Sequence, residues 1–205
     1  AGYEPAIQVR PGQQKLYMRS ECDRTYLRRD PETHLEVHWA LTPPYFGVDL
    51  PATELIGRAR SELLDGRSTK TLSDEDLLLV LCVNGAKEMW EKLEWVTAVA
   101  GLLDAKRNLN WELIMNITCE TRTRRILLIG LGLARKVFKA NLPEDLNVAL
   151  DLDRVAQRLV DEAYAWLFAD HFRGLTGWRL TRFRLAERER WRDKSSGKCG
   201  QDQSH

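Results

Sequence analysis

The segment His34–His38 carries the residues whose types and spacing are best suited to chemistry. It reads His-Leu-Glu-Val-His, and Trp39 follows it. Because strand side chains alternate between two faces, both histidines and Glu36 would share one face, opposite an apolar one. Imidazole and carboxylate groups are common ligands of divalent metal ions. We therefore predict a metal site with Glu36 and His38 as ligands, and burial of Val37 and Trp39 on the other face.

A hairpin is predicted to position this segment. Residues 24–29 and 34–41 read as strands, and Asp30-Pro31-Glu32-Thr33 between them has the composition of a tight turn. Residues 14–19 predict a weaker strand, and Pro43 and Pro44 end the last one because proline cannot donate to a ladder. An alternative interpretation of the polar face is a solvated hairpin surface with no ligand.

Everything after the hairpin is predicted to be helical. A short amphipathic helix over residues 52–65 would end at Gly66, and Ser73 would cap a long helix whose apolar run begins at Leu77. An all-round apolar run predicts a helix buried among others. Asn110 is a predicted cap and Pro143 a predicted break. The remaining helices are predicted at about 88–105, 111–119, 121–140 and 151–170.

The overall composition favours neither a nucleic-acid-binding protein nor a membrane protein. The 205 residues carry 30% charged side chains and a formal net charge of +1, so no overall field favours nucleic acid or a membrane. The longest apolar run, 77–83, is far shorter than the roughly 20 residues of a membrane span. The four cysteines show no CxxC spacing, which favours reduced thiols. We expect a cytoplasmic protein.

Several motifs occur in a fixed order from residue 35 to residue 142. They are Glu36-Val37-His38-Trp39; Asn84-Gly85-Ala86-Lys87-Glu88, followed by Trp90, Lys92, Leu93 and Trp95; Asn110-Trp111; an Arg-rich stretch with a Gly-Leu-x-Leu-Ala centre over 124–134; and Leu142-Pro143. In order and spacing, this part of the chain resembles the little-characterised nucleotidyltransferase family of the polymerase-β-like superfamily.

The resemblance implies an α+β fold, with the remnant of a small mixed sheet packed on a larger helical region. It implies transfer of a nucleoside monophosphate from ATP or another nucleoside triphosphate to an acceptor, with Mg²⁺ as cofactor. In the superfamily, three carboxylates hold two metal ions. The resemblance implies that Glu36 is the third of these carboxylates, with His38 beside it. The resemblance also implies that the nucleotide phosphates are bound by the cationic side chains of Lys87, Arg124 and Arg125. Lys87 also has an ordinary interpretation as part of a charged helix surface.

The chain departs from the family pattern in two ways. No Gly-Ser turn with an Asp-x-Asp strand precedes Glu36, and the Asp-x-Asp at 151–153 falls at a predicted helix start. We therefore expect the other two carboxylates to lie upstream of Ala1, and the chain alone to turn over triphosphate negligibly. The family's two helix histidines are replaced by Asn84 and Glu88.

Two functions stay open: a nucleotidyltransferase, or a non-catalytic helical binding or partner-interaction module derived from one. The acceptor would be an unknown small molecule or protein. A nucleic acid partner is not favoured, because acidic residues interrupt the Arg-rich residues 173–192. We predict a nucleotidyltransferase remnant over 1–50, a helical domain over 51–172, and a basic helix with a disordered tail over 173–205.

Overall fold

The computed structural model of the chain describes residues 2–28, 33–48, 50–169 and 177–188. Contacts within the chain define two compact units, residues 1–59 and residues 60–205. The predicted turn at Asp30, Pro31 and Glu32 lies outside the described residues, as does the predicted disordered tail. The α+β class is confirmed.

The first unit contains a three-stranded antiparallel sheet in the order β1-β2-β3. Its strands are β1 (Tyr3–Pro5), β2 (Asp23–Arg28) and β3 (His34–His38). The predicted hairpin is therefore confirmed, and its two strands pair with Asp23 opposite His38 and Thr25 opposite Glu36. The resemblance implied a mixed sheet, whereas the described strands all pair antiparallel.

The strand predicted over residues 14–19 is wrong. This segment is the helix α1 (Gln14–Ser20), preceded by a 3-10 turn at Pro11–Gln13. The fixed φ of proline suits the first position of a helical turn, and most residues that follow have high helix propensity. A second short helix, α2 (Ala52–Gly57), ends the first unit.

The helix predicted over residues 52–65 is wrong in its second half. After α2 the chain forms a hairpin of β4 (Arg60–Leu64) and β5 (Arg67–Thr71). Asp65 and Gly66 form its two-residue turn, with φ values of 49° and 75°. An Asp-Gly pair tolerates these left-handed angles and is a strong local hairpin signal.

The predicted burial of Val37 is also wrong. Val37 is 46% exposed and Leu35 is 45% exposed, while Trp39 is half-buried. In the register of the sheet these two aliphatic side chains lie beside Arg24 and Tyr26 of β2. Strand alternation determines which residues share a face, but it does not determine whether another element covers that face.

The second unit is built mainly from helices that surround one central helix, α6. They are α3 (Asp74–Lys87), α4 (Leu93–Ala105), α5 (Trp111–Thr121), α6 (Arg124–Phe138), α7 (Glu144–Leu152), α8 (Arg154–Leu167) and α9 (Gly177–Glu187). Helix α6 packs against α3, α4, α5, α7 and α8, and every residue from 126 to 134 in it is buried. No described helix has both the length and the apolar character needed to cross a membrane.

Several predicted helix ends are confirmed. The Ser73 hydroxyl accepts a hydrogen bond from the Asp76 amide at the start of α3, and the Asn110 side chain accepts one from the Leu113 amide at the start of α5. No residue of α3 is exposed, as its apolar run predicted. The predicted break at Pro143 is the start of α7, a helix that the sequence analysis had missed.

Candidate functional site

The structure brings Glu36 and His38 together on one face of β3. Glu36 Oε2 lies 3.4 Å from His38 Nε2. The Glu36 side chain is 61% exposed and that of His38 is 44% exposed. The two predicted metal ligands are therefore adjacent and open to solvent, as the strand period required.

Two further residues of this cluster, Asp23 and Cys22, were not predicted from the sequence. Asp23 Oδ2 lies 3.9 Å from His38 Nδ1, and the Cys22 thiol donates a hydrogen bond of 3.2 Å to the same carboxylate oxygen. Each ring nitrogen of His38 therefore faces a carboxylate. Hairpin pairing could have predicted that Asp23 lies on this face, since residues directly opposite each other share a face.

The end of β3 is held in place beside this cluster. The Trp39 and Ala40 amides both donate to the Cys22 carbonyl, and the Trp39 indole donates to the Glu21 carbonyl at 3.0 Å. The ring of Tyr17 packs against Trp39 with centroids 6.1 Å apart. These contacts fix the backbone on both sides of the Asp23–His38 pair.

Lys87 lies in the second unit, at the last residue of α3. Its side chain is one quarter exposed, and Nζ lies 4.0 Å from Glu88 Oε1. The Lys87 backbone carbonyl accepts a hydrogen bond of 2.8 Å from Arg184 of α9. A cation near the last carbonyls of a helix interacts favourably with its dipole, so Arg184 stabilises this end of α3.

Arg124 and Arg125 occupy the first turn of α6 but have different surroundings. Arg125 is mostly buried, and its Nε donates to Asp153 at 3.2 Å. Its Nη1 also donates to the carbonyls of Ala186 and Arg188. Arg124 is half-buried and makes none of the hydrogen bonds or ion pairs found among the described residues.

Glu187, at the end of α9, is an unusual carboxyl group. Its side chain is fully buried, and neither carboxylate oxygen has a hydrogen-bond partner in the described part of the chain. Burial raises the pKa of Glu187 to about 8, although Arg184 and Arg188 act in the opposite direction. Burial of Glu187 is not predictable from the sequence, because nothing in its local pattern indicates it.

A separate pocket of about 670 Å³ opens between α4 and the end of α6. Its lining includes the aromatic rings of Trp111 and Phe138 and the cationic side chains of Arg107 and Lys139. A cavity of this size lies within the range of small-molecule sites. None of the site residues predicted from the sequence lines it.

One protein family matches the chain. Residues 1–139 match the model of a protein family described as "Uncharacterised nucleotidyltransferase". The chain belongs to this family. No curated protein and no solved structure matched the chain.

The family match confirms the resemblance found in the sequence and covers all the candidate site residues. Glu36, His38, Lys87, Arg124 and Arg125 all fall within residues 1–139. The structure places the first two in one cluster and the other three in the second unit, where Lys87 and Arg125 make hydrogen bonds to α9. Membership supports nucleotidyl transfer as the general kind of activity.

Proposed function

We propose that this protein transfers a nucleoside monophosphate from a magnesium-bound nucleoside triphosphate to a hydroxyl or similar acceptor. The observation that carries the proposal is Glu36, an exposed carboxylate on the polar face of the β2–β3 hairpin. It stands in the Glu-Val-His-Trp motif by which the chain resembles its family. An exposed carboxylate is accessible to a metal ion that also binds substrate phosphates.

The donors around Glu36 fit magnesium. This ion prefers oxygen ligands and is usually held by one or two carboxylates together with substrate phosphates. Glu36 and Asp23 would supply two carboxylates, each of which faces one ring nitrogen of His38. Bound magnesium would neutralise charge on the triphosphate and on the leaving pyrophosphate. His38 would keep the two carboxylates oriented by contact with both.

Lys87 and Arg124 are the cations that we propose for phosphate binding. Lys87 Nζ is at the outer limit of an ion pair with Glu88, so little holds this ammonium in place. Arg124 has no competing anion among the described residues. Arg125 instead donates hydrogen bonds to Asp153 and to two backbone carbonyls. We therefore assign Arg125 a structural role in this proposal.

A non-catalytic binding module is the second candidate. It is favoured by one observation from the structure: the helical unit has a pocket of about 670 Å³, and none of the site residues predicted from the sequence lines it. A module that had lost catalysis would still bind nucleotide or a protein partner through its helical unit. The two candidates predict different results in a turnover assay.

The test measures magnesium-dependent release of pyrophosphate from a mixture of the four nucleoside triphosphates, using the gene product at its natural length. Glu36→Gln removes the metal-binding charge with little change in size, and we expect release to fall by about 10- to 100-fold. The control is Glu54→Gln, which alters an exposed carboxylate of α2 that pairs with Arg58, just after the helix. Release that is unchanged in Glu36→Gln would refute the role of Glu36. Nucleotide binding without any release would favour the binding module.

A further inference from the structure

The Cys22, Asp23 and His38 side chains form a group with the composition of a transition-metal site. One ligand atom from each lies within 4.8 Å of the other two. Cys22 Sγ and Asp23 Oδ2 are 3.2 Å apart, and Asp23 Oδ2 and His38 Nδ1 are 3.9 Å apart. Ligands of tetrahedral zinc, at about 2.0–2.3 Å from the ion, are separated by roughly 3.3–3.8 Å. Only small side-chain movements would therefore let all three atoms reach one ion.

The fold assembles this group from both strands of the hairpin. Asp23 is the first residue of β2 and lies directly opposite His38, the last residue of β3. Cys22 precedes β2, and its carbonyl accepts the amides of Trp39 and Ala40. The backbone of all three residues is thus set by strand pairing, which suits a site that needs fixed ligand directions.

Glu36 stands where an outer-shell carboxylate is expected. Histidine ligands usually donate their second ring N–H to a carboxylate, which fixes the tautomer and the orientation of the ring. Glu36 Oε2 lies 3.4 Å from His38 Nε2, so that contact leaves Nδ1 available on the side of Asp23. The cluster therefore has both the ligand atoms and the partner that orients one of them.

We propose that Cys22 Sγ, an Asp23 carboxylate oxygen and His38 Nδ1 bind a borderline divalent ion of the zinc type, with a fourth position open to water or substrate. Sulfur, nitrogen and oxygen donors together favour zinc, whereas magnesium takes oxygen donors alone. Because Asp23 and His38 are partly exposed while Cys22 is buried, the open position faces solvent. This inference does not rest on the proposed transfer reaction. It assigns Asp23 to this ion instead of to magnesium and has Glu36 orient His38 without contacting the ion, so the two metal assignments are alternatives for the Asp23 carboxylate.

The experiment titrates the metal-free protein with Co²⁺ as a spectroscopic substitute for Zn²⁺ and then displaces Co²⁺ with Zn²⁺. We expect one equivalent to bind, with tetrahedral cobalt bands and a thiolate-to-cobalt charge-transfer band in the near ultraviolet. Cys22→Ser removes the charge-transfer band. The matched control is Cys119→Ser, which changes an exposed cysteine and leaves the band intact. Glu36→Gln keeps the band but weakens Co²⁺ binding by about 10- to 100-fold.

A second variant keeps the test decisive if Cys22→Ser does not fold. His38 is partly exposed, so His38→Asn is expected to fold, as circular dichroism would verify. It should weaken Zn²⁺ binding at least tenfold. Absence of a charge-transfer band in the unmodified protein, its persistence in Cys22→Ser, or unchanged affinity in His38→Asn would each overturn the zinc site. These readouts need no turnover, so failure of the transfer reaction and failure of the zinc site are distinguishable.

Discussion

Asp23 lies directly opposite His38 in the β2–β3 hairpin, and its carboxylate is 3.9 Å from His38 Nδ1. The pairing adds a second carboxylate to the face that Glu36 occupies. Neighbouring carboxylates on one face can share a divalent ion, whereas a single exposed one binds it weakly. The consequences of this arrangement can be tested without knowledge of the acceptor.

We predict that Asp23→Asn lowers magnesium-dependent pyrophosphate release by at least about tenfold, because it removes one of the two proposed metal ligands. The assay is the one used for Glu36→Gln. Asp65→Asn is the control, since Asp65 lies in the turn of the β4–β5 hairpin with φ of 49°, which asparagine tolerates well. Equal release from Asp23→Asn and the unmodified protein would show that Asp23 does not serve the reaction.

Substitutions of the two arginines at the start of α6 should affect different properties: stability for Arg125 and nucleotide binding for Arg124. Arg125→Gln removes the pair with Asp153 and the bonds to the end of α9, and we expect a loss of about 1–3 kcal/mol in the free energy of unfolding. Faster amide hydrogen exchange in α9 would accompany it. Arg124→Gln should leave the free energy of unfolding and the hydrogen exchange of α9 unchanged. It should weaken triphosphate binding several-fold, as measured by calorimetry. A destabilised Arg124→Gln with normal nucleotide binding would contradict this assignment.

Glu187 should make stability depend on pH. Burial raises the pKa of this carboxyl from 4.5 to about 8, so the folded state holds a proton that the unfolded state releases. Its contribution to stability is complete below pH 4.5 and is lost as pH rises through about 8. The loss is roughly 1.4 kcal/mol for each pH unit between the two pKa values.

Glu187→Gln carries no titrating proton and should remove this part of the pH dependence. The measurement is urea unfolding of both proteins at pH 6 and pH 9. We expect the variant to be the more stable of the two at pH 9, with a smaller difference at pH 6. Parallel losses of stability in the two proteins between these pH values would exclude Glu187 as the cause.

Gly130 should be essential for packing at the centre of the second unit. A Cβ atom there would lie 2.6 Å from Cys82 Sγ and 2.9 Å from Trp90 Cη2, and both side chains are fully buried. We expect Gly130→Ala to cost about 1–3 kcal/mol of unfolding free energy through overpacking. Gly101→Ala in α4 is the control, because its Cβ would meet nothing within 4 Å. Higher helix propensity should stabilise it by about 0.5–1 kcal/mol.

Much of the local structure followed from the sequence because local geometry determines it. Ser73 and Asn110 cap their helices through bonds to amides three residues away, so each cap is readable from a short segment. The Asp65-Gly66 turn was equally local, and β4 and β5 were missed because the helical pattern around residues 52–65 was given more weight. Burial of Val37 depends on distant elements, and that prediction was wrong.

In the candidate site, too, the sequence alone determined some relationships, while others were decided only by tertiary structure. The sequence alone determined that Glu36 and His38 share a face, since alternation along a strand is a property of its backbone. Only strand pairing decided that Asp23 and Cys22 join them, because the register of the hairpin places Asp23 opposite His38, 15 positions further along the chain. Likewise, only helix packing decided that Arg125 holds the end of α9, since its partners at 186 and 188 lie more than 60 residues away.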